Sequence, residues 1–203
     1  VRKPRLCPGC SHRSSFFAIR RSLPKAIYSG DIGCYTLGTN LRAVDTVVDM
    51  GASVNMAAGF YQTYKLAGQH QPIVATIGDS TFLHSGITAL ANAVHTGARF
   101  ILVILDNTVT AMTGFQPTPD SERLADGSGR GTRVRISEIV KAVGVEFLRQ
   151  VDPYEIDHFK KLLKEAEAHT KAPDGGVAVI LAERACVLYD PSPVRQAPVK
   201  VTV

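Results

Sequence analysis

The chain has 203 residues, 45% hydrophobic and 20% charged, the balance of one globular domain with a sizeable core; it excludes a disordered tail and a fibrous repeat. No apolar run reaches the roughly 18 residues of a membrane-crossing helix, and the start lacks a secretory h-region, so the expectation is a cytoplasmic protein without a membrane role. The net charge of +5 is uneven: residues 1–25 hold Arg2, Lys3, Arg5, Arg13, Arg20, Arg21 and Lys25 and no acid, which leaves 16 basic against 18 acidic residues elsewhere. That asymmetry disfavours a nucleic-acid-coating protein, whose cations would run across the whole fold. A solvated basic segment and a local demand for positive charge both stay open.

From Ala26 onward, short apolar runs alternate with longer amphipathic ones, which predicts a doubly wound α/β domain, a mostly parallel sheet with helices on both faces. The first strand is expected over Ala26–Ser29, running out into Gly30-Asp31-Ile32-Gly33. A helix follows from about Ser53 to Ala67, with Gly68 placed to close it. Pro72 to Ile77 makes the second strand and runs directly into Gly78-Asp79-Ser80; a helix is expected from His84 to His95. Arg99 to Leu105 is the most apolar strand and ends at Asp106-Asn107. Residues 117–133, with Pro117, Pro119, Gly127, Gly129 and Gly131 among polar residues, read as a long loop of the lid or partner-contact type. Ser137 is placed to cap a helix reaching Val143. Strand Val145–Gln150, helix Pro153–His169 and strand Val177–Ala182 complete the pattern. Val1 is not an initiator methionine, and Lys200-Val201-Thr202-Val203 reads as the start of a strand. The expectation is one domain over residues 1–203 that belongs to a longer chain or a complex.

Two polar elbows, each directly after a strand, carry the chemistry. Gly78-Asp79-Ser80 and Asp106-Asn107 leave 26 residues between Ser80 and Asn107, the length of a turn, a helix and a strand. Asp79 and Asn107 are therefore expected at neighbouring strand ends, where open α/β sheets bind ligands. A carboxylate and an amide oxygen converging there suit Mg²⁺, which takes oxygen ligands and commonly adds those of substrate phosphates. Taken singly, each elbow reads better as a helix N-cap or a turn. At this spacing the pair resembles the thiamine diphosphate motif.

The resemblance becomes specific in the segment Asp106-Asn107-Thr108-Val109-Thr110-Ala111-Met112-Thr113-Gly114-Phe115-Gln116. Together with Cys7-Pro8-Gly9-Cys10-Ser11-His12-Arg13 and Gly30-Asp31-Ile32-Gly33-Cys34-Tyr35-Thr36-Leu37-Gly38, it resembles the diphosphate-binding domain of the 2-oxoacid:ferredoxin oxidoreductases, the indolepyruvate ferredoxin oxidoreductases in particular, over roughly residues 5–190. The resemblance implies that Asp79, Asn107 and the Val109 carbonyl hold Mg²⁺, which bridges the two phosphates of thiamine diphosphate. It further implies that Gly78, Ser80 and Thr81 at the following helix start, with Thr113, Gly114 and Gln116, meet the phosphate oxygens. Gly33 and the segment Gly51-Ala52-Ser53, made of small residues, would leave room near the thiazolium ring and substrate. Phe115 departs from the wider superfamily, many members of which carry a second glycine there.

Cys7 and Cys10 precede the first strand, Cys34 follows its carboxyl end and Cys186 follows the last strand, so all four can gather on one side of the sheet. Their number suits a [4Fe–4S] cluster or Zn²⁺, and spacing does not separate the two; free buried thiols are the plain alternative. The resemblance implies the cluster, because oxidative decarboxylation of a 2-oxoacid leaves electrons that must depart one at a time. His12 and Asp31 lie beside these cysteines and are the candidate catalytic residues, His12 orienting substrate or tuning the cluster. A core or solvated role for His12 is equally open. His70, His84, His95 and His169 show no ligand spacing, and helix 153–169, with Lys160, Lys161, Lys164, Glu165 and Glu167, reads as a solvated face. Tyr35, Phe16, Phe17 and Phe115 are candidates for an aromatic pocket, with core packing the default for Phe16 and Phe17.

The reading implied is the catalytic part of an oxidoreductase that converts arylpyruvates and coenzyme A to acyl-CoA, passes electrons to ferredoxin, works as an oligomer, and needs a partner pyrimidine-binding domain to supply the activating glutamate. A non-oxidative thiamine-dependent decarboxylase or synthase and a cluster-binding electron-transfer module are the alternatives. Arg5 and Arg13, nearest the first two cysteines, are placed to hold a cluster's potential up or to meet an acidic carrier.

Overall fold

The computed structural model describes residues 3–190; Arg2 and the strand start expected at Lys200–Val203 lie outside them. Five parallel strands form one sheet in the order β1-β2-β3-β7-β6: β1 (Ile27–Ser29), β2 (Ile73–Gly78), β3 (Ile101–Asp106), β6 (Phe147–Val151) and β7 (Ala178–Glu183). A two-stranded antiparallel pair, β4 (Val109–Thr110) and β5 (Gln116–Pro117), projects after β3. Strand β3 is central, and all six of its residues are buried. Its alternating side chains feed two cores, because successive Cβ atoms point to opposite faces. Ile101, Val103 and Leu105 pack with helices α1 (Ser11–Ser22) and α6 (Ile156–Lys171). Leu102 and Ile104 pack with α2 (Ala52–Leu66), α4 (Ile87–His95) and α5 (Ile136–Ala142). Truncating a residue such as Leu102 to alanine would cost about 2–5 kcal/mol at such a site.

The expected strands stand within two residues of their predicted bounds, and the doubly wound α/β class holds. Four local expectations change. Helix α1 falls in the basic N-terminal stretch, where none was expected; its buried positions His12, Ser15, Phe16, Ile19 and Ser22 recur at helical spacing, hidden by arginines and serines on the same turns. The segment Cys34–Leu41 coils as a 3₁₀ helix. The helix expected from His84 begins instead at Asp79: α3 (Asp79–Thr81) continues through a π turn at Phe82–Gly86 into α4. Finally, Ser137 does not cap α5. Arg135 takes the extended N-cap conformation and its carbonyl accepts from the Glu138 N–H at 3.2 Å, which leaves Ser137 in the first turn. Beyond Pro117, which ends β5, the 117–133 stretch is a loop apart from an isolated bridge between Arg123 and Arg130, and its ends are tied where Arg133 donates to both carboxylate oxygens and the carbonyl of buried Asp120 at 2.8–3.2 Å.

Candidate active site

Gly78 pairs with Leu105 in the β2–β3 ladder, so the two elbows leave adjacent strand ends side by side. Between them lies a cavity of about 100 Å³ lined by His12, Gly33, Cys34, Tyr35, Met50, Gly78, Asp79, Ser80, Thr81, Asn107, Val109 and Thr113, among others. One pocket therefore gathers nine of the residues singled out for cofactor, metal or thiol chemistry, with His12.

Asp79 is buried at 3% exposure, and its Oδ2 has no hydrogen-bond partner among the described residues. The Thr118 hydroxyl, also buried, stands close enough to favour the charged form of this carboxyl. Burial pushes the Asp79 carboxyl well above the usual carboxylate range, and the carboxyl of Asp120 adds to the effect. Asp106, also buried, is pushed up by burial and by Asp79. Such a buried, unsatisfied carboxylate is expensive, and a divalent cation would relieve it. Asn107 fits the same purpose: its Oδ1 is within 3.3 Å of the Val109 N–H, and the Val109 carbonyl belongs to the same tight turn. Among the described residues no three His, Cys, Asp or Glu side chains stand close enough to hold one metal ion between them. A cation on Asp79 and Asn107 would thus complete its shell with carbonyl, phosphate and water oxygens, the habit of Mg²⁺.

The phenol of Tyr35 lies across the cavity and shares a 2.8 Å hydrogen bond with Thr81 Oγ1. Its ring has room only because two neighbours are glycines: a Cβ on Gly78 would stand 2.3 Å from the ring, and one on Gly33 2.5 Å. Gly51, Ala52 and Ser53 sit beside the cavity instead of lining it; their neighbour Met50 lines it. They are held by Asp31, fully buried, whose carboxylate accepts from the N–H groups of Gly51 at 2.8 Å, Ser53 at 3.2 Å and Ile32 at 2.8 Å. Both Asp31 oxygens are thus spent on backbone. Thr113 and Gln116 face solvent and pair with each other at 2.5 Å across the β4–β5 turn, with Gly114 at a positive φ between them. Phe115 holds φ 65°, the left-handed region that favours glycine, and its ring stacks on Tyr189 at 5.9 Å. Phe16 belongs to the core, and Phe17 is half exposed, with Arg21 over its ring.

All four cysteines are free thiols. Cys10 precedes α1 as its N-cap, Cys34 opens the 3₁₀ helix, and Cys186 follows β7. They lie within electrostatic reach of one another: burial raises the Cys34 thiol to about 11, and Cys10, Cys186 and Cys7 add to that rise. Two links join the thiols to the Asp106-Asn107 elbow. The Cys186 N–H donates to the Asn107 carbonyl at 3.1 Å. His12, two residues after Cys10, is wholly buried, and its Nε2 lies 3.5 Å from Asn107 Nδ2. Because that amide nitrogen only donates, Nε2 accepts and the ring is neutral with its proton on Nδ1; burial lowers its pKa to about 4.

Arg13, which the sequence placed beside the first two cysteines, and Tyr154, which it left unassigned, complete the surroundings. Arg13 donates to the Leu6 carbonyl at 2.8 Å and the Cys7 carbonyl at 3.0 Å, holding the first cysteine loop. Tyr154 donates to the Gly9 carbonyl of the same loop. The only sequence signal was position: a tyrosine just ahead of a helix facing the cysteine end of the sheet.

Three comparisons bear on this geometry. Residues 31–180 match the family described as thiamine pyrophosphate enzyme, C-terminal TPP binding domain. Among curated proteins, the chain is similar to the indolepyruvate oxidoreductase subunit IorA of Thermococcus kodakarensis, 46% identical over 93% of this chain and 30% of that protein, and to its namesake in Archaeoglobus fulgidus, 46% identical over 92% and 29%. The chain spans about 30% of the length of these relatives. Among solved structures it resembles the 2-oxoglutarate:ferredoxin oxidoreductase of Magnetococcus marinus, with a TM-score of 0.77 at 18% identity over 92% of this chain and 66% of that one. The benzoylformate decarboxylase of Polynucleobacter necessarius follows the same fold, with a TM-score of 0.64 at 16% identity over 91% of this chain and 35% of that one.

Proposed function

Since this chain belongs to the thiamine pyrophosphate enzymes, as their C-terminal TPP-binding domain, we propose that it is the diphosphate-holding half of the active site of a 2-oxoacid:ferredoxin oxidoreductase acting on arylpyruvates such as indolepyruvate. The observation that carries this reading is the convergence of four free thiols on the carboxyl edge of the sheet, one of them, Cys34, lining the cofactor cavity itself. A non-oxidative thiamine enzyme has no use for such a set; an enzyme that removes electrons singly does. Four thiolates are a ligand set of a [4Fe–4S] cluster, and free thiols persist in a reducing cytoplasm.

Thiamine diphosphate, when bound, supplies the nucleophilic carbon that takes up the 2-oxo group and accommodates the electrons left by CO₂. The chain's own residues position it. Asp79, Asn107 and the Val109 carbonyl would hold Mg²⁺; the Ser80 and Thr81 hydroxyls and their backbone N–H groups, with Gly78 and Thr113, would meet the diphosphate. Gly114 and Gln116 would reach it only once the β4–β5 turn is covered by the cofactor or a partner. Asp31 is a positioning residue that fixes Gly51, Ala52 and Ser53, and Gly33 admits Tyr35. His12 orients the Asn107 amide as a neutral hydrogen-bond acceptor. The balanced reaction takes a 2-oxoacid, coenzyme A thiol and two oxidised ferredoxins to acyl-CoA, CO₂, two reduced ferredoxins and a proton. The aminopyrimidine-activating glutamate would come from a partner domain or subunit, and the active unit is proposed to be an oligomer.

The arylpyruvate assignment rests on the similarity to proteins named for indolepyruvate and on Tyr35, Met50 and Met112 around the cavity. Anaerobic turnover of a panel of 2-oxoacids by the full-length complex, with an artificial electron acceptor, tests it. Preference for pyruvate or 2-oxoglutarate would sink the substrate assignment alone. Absence of iron and acid-labile sulfide in anaerobically prepared protein would sink the electron-transfer reading.

A further inference from the structure

The two ends of the cysteine set come from opposite ends of the sequence, and one side-chain unit stands between them. Asp152, at the end of β6, accepts the Tyr154 N–H on Oδ1 at 2.9 Å and pairs through Oδ2 with Arg184 Nη1. The guanidinium of Arg184 covers the Tyr154 ring, 4.5 Å from its centroid. The Tyr154 hydroxyl donates to the Gly9 carbonyl, inside the Cys7–Cys10 loop. Arg184 itself is two residues before Cys186, and its backbone N–H is fixed on the Asp106 carbonyl at 2.9 Å. Asp152, Tyr154 and Arg184 thus close on one another and touch the strand end that leads to Cys186 on one side and the first cysteine loop on the other. The electrostatic neighbours of the Tyr154 phenol include both Cys10 and Cys186. Arg184 Nε is buried and has no acceptor among the described residues.

Resting on the cluster reading above, we infer that Tyr154 and Arg184 are positioning residues for the iron–sulfur centre: Tyr154 clamps the Cys7–Cys10 loop against the Cys186 strand end, and the Arg184–Asp152 pair sets the local charge that poises the centre's potential. Nothing in the diphosphate motif requires these residues. Their chemistry follows from two general facts. A loop carrying two of four cluster ligands has to be held in register with a ligand from a distant strand, and hydrogen bonds to the backbone around the ligands are what orient them. Reducing a cluster adds one negative charge, so a nearby cation favours the reduced form and a nearby carboxylate opposes it.

The sign of each effect is fixed by the pairing. Arg184→Gln removes the cation and leaves the Asp152 carboxylate uncompensated beside the thiols, so the midpoint potential moves to more negative values. Asp152→Asn removes the carboxylate and moves it the other way. Arg184→Lys keeps the charge and stays near the wild-type potential. Tyr154→Phe keeps the ring under the guanidinium but loses the bond to Gly9; the potential stays while the cluster loosens, and iron is lost to a chelator severalfold faster.

The test is an electron-paramagnetic-resonance redox titration, with a chelator time course, on anaerobically purified full-length protein co-expressed with its partner subunit. Thermal unfolding is followed in parallel. Opposite shifts for Arg184→Gln and Asp152→Asn, with a faster iron loss in Tyr154→Phe at unchanged melting temperature, are the expected results. Wild-type potentials in both charge variants and a wild-type iron loss in Tyr154→Phe overturn the clamp while leaving the cluster standing. If Arg184→Gln does not fold, Asp152→Asn and Tyr154→Phe decide the matter by the same criteria. Wild-type protein without iron or sulfide overturns the cluster reading and the clamp with it.

Discussion

The Cys186 N–H donates to the carbonyl of Asn107 at 3.1 Å, so the last cysteine hangs from the same short turn that presents the amide proposed to hold Mg²⁺. Ordering that turn with Mg²⁺ and thiamine diphosphate should therefore be felt at Cys186. In cluster-free protein, alkylation of Cys186 followed by mass spectrometry is expected to slow severalfold when both are added. Labelling of Cys7 and Cys10, half-buried like Cys186, serves as the reference; equal rates at Cys186 with and without the cofactor would separate the two sites.

Asp79 is the residue on which cofactor binding and stability pull in opposite directions. Its carboxyl and that of Asp106 are pushed up by burial, so the cation-free folded chain holds protons that the unfolded chain has shed. That stability is complete below the ordinary carboxylate range and is lost as pH rises through neutrality. Melting temperatures of the cation-free protein should fall from about pH 5 to about pH 8 and recover on adding Mg²⁺ and thiamine diphosphate. Asp79→Asn should flatten the pH dependence and stabilise the cation-free protein at about pH 8 by about 1–2 kcal/mol. It should also weaken Mg²⁺-dependent cofactor binding by about 100-fold, as loss of a charged ligand predicts; binding by titration calorimetry checks this.

His12 should be silent where histidines usually titrate. Burial lowers it to about 4, so its neutral form dominates above about pH 5 in the folded chain, while the unfolded chain protonates near pH 6.5. The stability this contributes is full above about pH 6.5 and is lost as pH falls toward about 4. Its imidazole carbon-bound proton resonances should stay flat between about pH 5.5 and pH 8. A titration midpoint near 6.5 would refute the buried neutral ring.

The strands and the two elbows were legible in the sequence because a central parallel strand is apolar on both faces and the polar elbow follows without a gap, as in Phe100–Asn107. What the pattern could not convey was distance across the fold. Asp31 sits in a Gly-rich turn and looks like a chemical group, yet its surroundings show a carboxylate spent on three backbone N–H groups. Asp120 and Arg133 meet only because the loop between them doubles back. Tyr154 and Arg184 lie 30 positions apart, and neither belongs to a motif. Helix α1 was hidden for a different reason: its buried face includes Ser11, Ser15 and Ser22, which carry no hydrophobic signal.

Asp31 and Gly51 should behave as scaffold. Asp31→Asn puts N–H groups against backbone N–H groups and should cost about 2–4 kcal/mol. Gly51→Ala forces a residue with φ of 93° to carry a Cβ 2.4 Å from Ser85 Oγ, a cost of at least about 1–3 kcal/mol. In both variants, thermal stability and cofactor affinity should fall together. If Asp31→Asn lost turnover while its melting temperature and cofactor affinity stayed at wild-type values, a direct catalytic role would be the better account.

The basic N-terminal face divides into two parts with separate consequences. Arg5 is exposed, whereas Arg13 holds the Leu6 and Cys7 carbonyls. If the proposed electron carrier is an acidic protein that docks here, Arg5→Gln should raise the KM for ferredoxin severalfold, with the effect shrinking at high salt as surface charges are screened. Turnover with a neutral dye should be unchanged. Arg13→Gln should lower turnover with ferredoxin and dye alike, because it loosens the loop that carries two cysteines before any partner arrives. Steady-state assays of the full-length complex with both acceptors, at two ionic strengths, distinguish the roles. Equal losses with both acceptors in Arg5→Gln would count against docking at this face, and a loss confined to ferredoxin in Arg13→Gln would count against its role in the loop.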